Sequence, residues 1–130
     1  MKQAGETWSN DRETSSGGRL KILLADDNLS LLQKCQSVLS REFEIVSAVA
    51  DGRALLEQCE LLRPEVVVTD ISMPVIDGFE AVAKLHFRGA PRVIFFTVHE
   101  DRAFVEEAKA LGAAGYVLKR SRPAVLIHAI

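Results

Sequence analysis

The chain carries two hydrophobic patterns that alternate along residues 20–130. The first pattern is a short run that is apolar at nearly every position and rich in Val, Ile, Leu and Phe. Such runs are typical of strands buried on both faces of a parallel sheet. The five runs cover residues 20–25, 44–50, 65–69, 92–98 and 115–118.

The second pattern is an apolar stripe with helical spacing, and one such stripe separates each pair of runs. The four stripes are Leu31, Leu32, Cys35, Val38 and Leu39; Leu55, Cys59 and Leu62; Phe79, Val82, Ala83 and His86; and Phe104, Val105, Ala108 and Leu111. A fifth helix is predicted to begin near Pro123, a good first-turn residue. It is still apolar at Ile130, where we expect it to be truncated.

Five repeats of strand and helix predict an α/β fold. Right-handed crossovers between parallel strands place helices on both faces of the sheet. The expected architecture is a flavodoxin-like (βα)5 doubly wound five-stranded parallel sheet with strand order 2-1-3-4-5.

Residues 1–19 have a different composition from the rest of the chain. They are rich in Ser, Thr, Gly, Glu and Asp, and Trp8 is their one bulky apolar side chain apart from Met1. Such a segment buries too little surface to offset the entropy lost on ordering. We therefore predict a flexible leader over 1–19 and one domain over 20–130.

Composition narrows the class of protein. The 130 residues suit one domain, and the formal net charge of −2 comes without a basic stripe. Any action on DNA is therefore expected through a part not present in the chain. No apolar run approaches the roughly 18 residues of a membrane helix, and no secretory signal is visible. The sequence predicts a cytoplasmic protein, in which Cys35 and Cys59 are buried reduced thiols.

Polar residues stand where four of the predicted strands end. Asp26 and Asp27 follow the first strand, Asp70 the third, Thr97 ends the fourth, and Lys119 follows the fifth. Ligands of open α/β sheets bind at the carboxyl ends of the strands. We therefore expect three carboxylates, a hydroxyl and an ammonium group on one rim.

That combination indicates phosphoryl transfer. Crowded carboxylates need a cation, and Mg²⁺ prefers oxygen ligands. A hydroxyl and a lysine are suited to hold an anionic group beside the metal. Asp70 is the expected nucleophile because it ends the most apolar, central strand. Taken singly, Asp27 or Asn28 is equally well explained as a helix cap, and Asp70 as part of a turn. Only the combination favours a site.

At this point the sequence resembles the receiver domains of bacterial response regulators, over roughly residues 20–130. The matching stretches are LLADDN at 23–28, VVVTDISMPVIDGFEAV at 66–82, FFTVHED at 95–101 and GAAGYVLKR at 112–120. The last stretch is most similar to the NarL/FixJ subfamily, whose members commonly carry a helix-turn-helix domain after the receiver.

The resemblance implies a role for each matching residue. Asp70 would accept a phosphoryl group from a histidine kinase or a small phosphodonor, so the domain is a regulatory phosphoacceptor rather than an enzyme. Mg²⁺ would be held by Asp26, Asp27, Asp70 and the backbone carbonyl of Ser72. Lys119 would bond a phosphoryl oxygen, and Thr97 would move to do the same.

The resemblance also implies a switch. Tyr116 occupies the position of the switch aromatic and would turn inward when Thr97 moves. The face formed by the fourth helix, fifth strand and fifth helix (α4-β5-α5 in the family's order) would then change its partner. A homodimer that forms on phosphorylation is expected through this face.

Three positions depart from the commonest family pattern. Arg120 follows Lys119 where many receivers have a proline with a cis bond. Val98 is bulkier than the usual residue after Thr97 and would narrow access to the phosphoryl site. Ser72 and His99 stand at positions that influence dephosphorylation by water, so a distinct phosphoryl lifetime is expected.

Other functions remain as alternatives at this point. A stand-alone or phosphorelay receiver would act by protein–protein contact alone. A phosphohydrolase of the haloacid-dehalogenase type would need a second aspartate where Ser72 stands. A flavin mononucleotide binder would need a Ser-, Thr- or Gly-rich first loop, and Asp26 and Asp27 would repel its phosphate.

Overall fold

The structure is a computed structural model that describes residues 18–85 and 89–130, together with the backbone of residues 5–7. His86, predicted as part of the third helical stripe, lies outside the described residues, as does Trp8. The strands are β1 (Gly5–Thr7), β2 (Lys21–Ala25), β3 (Glu44–Val49), β4 (Val66–Thr69), β5 (Arg92–Thr97) and β6 (Gly115–Leu118). The five predicted strands are confirmed as β2 to β6.

Five strands form the predicted parallel sheet. Their spatial order is β3-β2-β4-β5-β6, which is the order 2-1-3-4-5 predicted from the sequence. The registers align the strand ends, because Ala25 lies opposite Thr69 and Thr97 lies opposite Leu118. The residues that follow these strands therefore emerge along one edge.

Five helices connect or follow the strands: α1 (Leu29–Leu39), α2 (Gly52–Leu62), α3 (Gly78–Ala83), α4 (Arg102–Ala110) and α5 (Val125–Ala129). Side-chain oxygens of Asn28, Asp51 and Asp77 cap the first three by accepting backbone N–H bonds. The fifth helix begins at Val125, two residues after the predicted start at Pro123.

Two apolar layers cover the sheet, one on each face. On one face α2, α3 and α4 pack through Leu55, Val82 and Ala108 against Phe95. On the other face α1 and α5 pack through side chains that include Leu32 and Leu126. The strands are consequently buried on both sides, which explains why they read as continuous apolar runs. Cys35 and Cys59 are buried free thiols in these layers, as predicted.

The N-terminal region adds one element that the sequence did not indicate. Gly5–Thr7 pairs antiparallel with β6 and makes the sheet six-stranded. These three residues are ordered in a sheet, which differs from a leader that is flexible throughout. For the remaining residues of the segment 1–17, the flexible leader stays a prediction that lies outside the described residues.

Among the described residues, no helix is long and apolar enough to cross a membrane. The peptide bond between Lys119 and Arg120 is trans, since the described part of the chain contains no cis peptide bond.

Candidate functional site

Two buried aspartates are anchored at the ends of adjacent strands. The backbone N–H of Asp26 donates to the carbonyl of Val49 at 3.0 Å, and that of Asp70 donates to the carbonyl of Ala25 at 3.0 Å. Each aspartate is 5% exposed. The sheet ladder therefore continues one residue beyond β2 and β4 and holds both carboxylates at the rim.

Lys119 joins the two buried aspartates. Its Nζ lies 2.8 Å from Asp26 Oδ2 and 2.7 Å from Asp70 Oδ2. Its backbone N–H donates to the carbonyl of Thr97 at 2.8 Å, which fixes the end of β6 beside β5. Burial acts to lower the pKa of Lys119, but its bonds with Asp26 and Asp70 outweigh burial and raise the pKa above its usual value. The lysine is thus held as a cation between two carboxylates.

Asp27 completes a cluster of three carboxylates. Carboxylate oxygens of Asp26, Asp27 and Asp70 lie within 4.8 Å of one another. Burial raises the pKa of Asp26 above its usual value, against the lowering effects of Lys119 and of the Asn28 N–H. A second cation at the cluster would offset this cost. The oxygen-only donor set is the one that Mg²⁺ prefers, so these residues fit that ion.

Part of the coordination capacity of the buried aspartates is already used. Asp26 Oδ1 accepts the N–H of Asn28 at 2.9 Å, and Asp70 Oδ1 accepts the N–H of Ile71 at 2.7 Å. Each of these two carboxylates is therefore oriented by a backbone N–H as well as by Lys119.

Thr97 and His99 line the neighbouring strand end. Thr97 is fully buried, and its Oγ1 accepts the N–H of His99 at 3.2 Å. His99 Nε2 lies 2.8 Å from Ser72 Oγ, and its ring stacks on Phe104 at a centroid distance of 4.2 Å. The loops after β4 and β5 are therefore joined by a direct side-chain contact. The predicted influence of Ser72 and His99 on phosphoryl lifetime stays a prediction.

Tyr116 is turned inward in this structure. The side chain is 3% exposed, and its hydroxyl donates to the carbonyl of His99 at 2.8 Å. Burial, with smaller effects from Asp101 and Asp70, raises the pKa of Tyr116 to about 12. The side chain is thus inward in this structure, and its predicted turn on movement of Thr97 stays a prediction.

Gly78 is a structural requirement of the site that the sequence reasoning missed. Its N–H donates to the carbonyl of Ile71 at 2.6 Å. A Cβ at this position would lie 2.1 Å from the carbonyl oxygen of Asp70. The Asp77-Gly78 pair just before Phe79, the first residue of the third helical stripe, was the available signal, since such a pair marks a tight turn.

The open side of the rim is shaped by two loops. A cavity of about 300 Å³ is lined by Val98, Glu100, Leu118, Lys119 and Arg120. Arg120 Nη1 lies 3.7 Å from Glu100 Oε1, an exposed pair that bridges the loops after β5 and β6. Val98 is 65% exposed on this cavity, so it borders the approach to Lys119 rather than filling the core.

Comparison with known proteins identifies the family. The sequence profile described as the response regulator receiver domain matches residues 22–130. The chain belongs to the response regulator receiver domain family. Receiver domains are regulatory and bind Mg²⁺ at an acidic site, which agrees with the cluster of three aspartates. The receiver is a module of two-component signalling.

Curated relatives of this receiver include transcriptional regulators. The chain is 31% identical over 121 residues to the transcriptional regulatory protein DegU of Brevibacillus brevis, covering 91% of this chain and 51% of that protein. It is 31% identical over 111 residues to PdtaR of Mycobacterium tuberculosis, covering 85% of this chain and 54% of that protein. The chain therefore spans about half the length of the curated relatives it matches.

Solved receiver structures share the fold. The receiver domain of NarL from Mycobacterium tuberculosis superimposes with a TM-score of 0.81 at 29% identity, covering 86% of this chain and 93% of that one. CheY4 of Vibrio cholerae superimposes with a TM-score of 0.76 at 30% identity, covering 85% of this chain and 94% of that one. The NarL-like expectation and the flavodoxin-like fold are both confirmed.

Proposed function

We propose that this receiver is a phosphorylation-dependent signalling switch whose acceptor is Asp70. The phosphoryl donor is the phosphohistidine of a histidine kinase or a small acyl phosphate. Asp70, Thr97 and Lys119 carry the phosphoryl chemistry, and Tyr116 carries its consequence. The protein acts in the cytoplasm.

One observation carries this proposal above the others. The Lys119 ammonium contacts both Asp26 and Asp70 at hydrogen-bond distance, and the carboxylate of Asp27 borders the same cluster. A helix cap or a turn would require none of these contacts. A fixed cation beside a buried carboxylate and two further acids is the arrangement that phosphoryl transfer needs.

The proposed chemistry is an in-line displacement. A carboxylate oxygen of Asp70 forms the new P–O bond while the P–N bond to the donor histidine breaks, and the released imidazole takes up a proton. The N–H of Ile71 orients the Asp70 carboxylate, and Lys119 turns from that carboxylate to an oxygen of the arriving phosphoryl group. Thr97 Oγ1 is free to donate once it moves toward the phosphoryl group, because its present bond uses it as an acceptor.

The proposed metal ligands are carboxylate oxygens of Asp26, Asp27 and Asp70, with the backbone carbonyl of Ser72. When bound, Mg²⁺ supplies charge that neutralises the phosphoryl oxygens as the new bond forms. Asp26 and Asp27 would hold and orient the ion, and Asp26 also positions Lys119, whose Nζ lies 2.8 Å from Asp26 Oδ2.

The proposed output is carried by the face formed by α4, β6 and α5. Tyr116 lies on β6, and its hydroxyl bond with the His99 carbonyl links this strand to the loop that follows Thr97. A movement of Thr97 toward a phosphoryl group would shift that loop and change the face. The histidine kinase is the proposed phosphodonor. The proposed partners at this face are an output domain and a second receiver, the latter in a phosphorylation-dependent homodimer.

Transcription control through a helix-turn-helix domain outside residues 1–130 is the favoured output. The observation behind it is that relatives such as DegU and PdtaR are named as transcriptional regulators and extend beyond the matched region. DNA would be bound only through that additional domain. A stand-alone or phosphorelay receiver is the second candidate, and the matches to chemotaxis receivers favour it. The longer coding sequence distinguishes the two candidates.

Intact mass after incubation with acetyl phosphate tests the proposed acceptor. With Mg²⁺ the chain is expected to gain one phosphoryl group, and omission of Mg²⁺ or replacement Asp70→Asn is expected to abolish the gain. Asp77→Asn is the matched control, because Asp77 caps α3 on the same loop and is exposed. A phosphoryl gain that persists in Asp70→Asn would refute the proposal.

A further inference from the structure

The short strand β1 occupies an edge that the parallel sheet would otherwise leave open. It pairs antiparallel with β6, so that Gly5 lies opposite Val117, Glu6 opposite Tyr116 and Thr7 opposite Gly115. It also contacts α5. β1 therefore borders β6 and α5, two of the three elements of the proposed output face.

The covered edge would attract another strand if it were free. β6 has the sequence Gly-Tyr-Val-Leu, and its first three residues are buried. An apolar edge strand without a charged residue presents unpaired N–H and C=O groups to any extended chain. Of the five parallel strands, β6 and β3 are the outermost, and β6 is the one that β1 covers.

The cover itself is held only weakly. It is three residues long, begins with glycine and contains no large apolar residue. Short strands add few ladder hydrogen bonds, glycine has low strand propensity, and ordering each residue costs entropy. A strand of this kind is displaced more easily than the other strands of the sheet.

The segment that joins β1 to β2 is long enough for β1 to pair with β6 of the same chain. Residues 8–20 join Thr7 to Lys21 and could span roughly 45 Å if fully extended. Neighbouring strands lie about 4.8 Å apart, so the β1 and β2 positions are roughly 19 Å apart. The segment is long enough to reach its place, and tethering gives it a high local concentration at the edge.

We propose that Gly5–Thr7 is a displaceable cover that competes with a second copy of this chain for the edge of β6. Two identical β6 edges can pair antiparallel about a two-fold axis, which makes a second copy the natural competitor. The covered strand carries Tyr116, so the contact joins the N-terminal segment to the proposed switch. This inference goes beyond the proposed function: it concerns pairing of the unphosphorylated chain at the β6 edge, and it does not require phosphoryl transfer.

Proline substitution tests the cover. The variant Gly5→Pro/Glu6→Pro/Thr7→Pro removes every backbone donor of β1. Asp11→Pro/Arg12→Pro/Glu13→Pro is the matched control, with the same number of prolines in the same N-terminal segment but outside β1. Amide hydrogen exchange of residues 115–118 is measured at a concentration where the chain is monomeric, and the dimer dissociation constant is measured by sedimentation.

If β1 is a displaceable cover, the amides of β6 are expected to exchange about tenfold faster in the β1 variant. The dimer dissociation constant of that variant is expected to be about tenfold lower. Neither change is expected in the control variant. Unchanged exchange would overturn the proposal because the edge was never covered. Faster exchange with an unchanged dissociation constant would overturn the competition with a second copy. A failure of the proposed phosphorylation would show in a different experiment, as no mass gain with acetyl phosphate. Hydrogen exchange and the dimer dissociation constant would still test the cover.

Discussion

Tyr116 is the one tyrosine of the chain, so its ionisation can be followed directly. Its pKa is raised from 10.0 to about 12 by burial. The folded chain therefore holds the phenolic proton more tightly than the unfolded chain does. This contribution to stability is fully present below pH 10 and is lost as the pH rises toward 12.

Near-ultraviolet absorbance of the phenolate, recorded together with circular dichroism, checks this prediction. The phenolate is expected to form near pH 12 in folded protein, or at the pH where the fold is lost, and near pH 10 in denaturant. A phenolate that forms near pH 10 while the fold persists would show that Tyr116 is not held inward.

Lys119 is expected to matter most when no metal is bound. Replacement Lys119→Met leaves Asp26 and Asp70 without the cation that contacts both, which is expected to lower the free energy of unfolding by about 3 kcal/mol. The loss should shrink in Mg²⁺, because a bound cation then compensates the carboxylates. Denaturant unfolding with and without Mg²⁺ measures both effects.

Lys34→Met is the control for that experiment, since Lys34 lies exposed on α1 and should change stability by at most about 0.5 kcal/mol. Equal stability of Lys119→Met and the unchanged chain without Mg²⁺ would mean that the two contacts contribute nothing. If the loss in the free energy of unfolding of Lys119→Met is as large with Mg²⁺ as without it, Lys119 and the proposed metal do not compensate the same carboxylates.

At the scale of elements, the start of α3 controls the position of Asp70. In Gly78→Ala the new Cβ would meet the Asp70 carbonyl oxygen at 2.1 Å, so the loop after β4 must shift. We expect a loss of about 1–3 kcal/mol in the free energy of unfolding and weaker Mg²⁺ binding. Unfolding and Mg²⁺ titration of the variant measure the two effects.

Gly89→Ala separates this steric effect from ordinary backbone strain. Gly89 has φ +82°, and a Cβ there would meet no heavy atom of the described residues within 4 Å. Its replacement is expected to cost about 1–2 kcal/mol through the left-handed conformation, with Mg²⁺ binding unchanged. Normal Mg²⁺ affinity in Gly78→Ala would contradict the role assigned to the start of α3.

The elements also show which parts of the site could be predicted from sequence. Asp26, Asp70 and Lys119 were predictable together, because parallel strands joined by helices must end at the same edge of the sheet. The bond between Ser72 and His99 was not, because it depends on how two loops fold toward each other. The inward position of Tyr116 likewise depends on a bond to a backbone carbonyl, which no residue pattern records.

At the scale of the whole molecule, the fold could be predicted from the alternation of apolar runs and helical stripes. A doubly wound sheet is the simplest fold that buries both faces of the strands under the apolar stripes of the helices. β1 escaped prediction for a physical reason. Gly5–Thr7 has no apolar alternation, and its pairing is determined by the edge that β6 offers rather than by its own side chains. Edge addition of this kind leaves little trace in a single sequence.

The packing of the whole molecule explains why Asp70, the proposed acceptor, is held in a fixed position. Four separate strands contribute to the rim, and the two apolar layers hold those strands from both sides of the sheet. The central claim is that this rigid convergence makes Asp70, rather than Asp26 or Asp27, the residue that takes the phosphoryl group.

Trapping of the acyl phosphate with hydroxylamine tests that claim most directly. Hydroxylamine attacks the phosphorylated carboxyl carbon, releases phosphate and leaves a stable hydroxamate that peptide mass spectrometry can locate. After treatment with acetyl phosphate and Mg²⁺, the account predicts one hydroxamate, on Asp70. A hydroxamate on Asp26 or Asp27, or none on a chain that has gained a phosphoryl group, would contradict it.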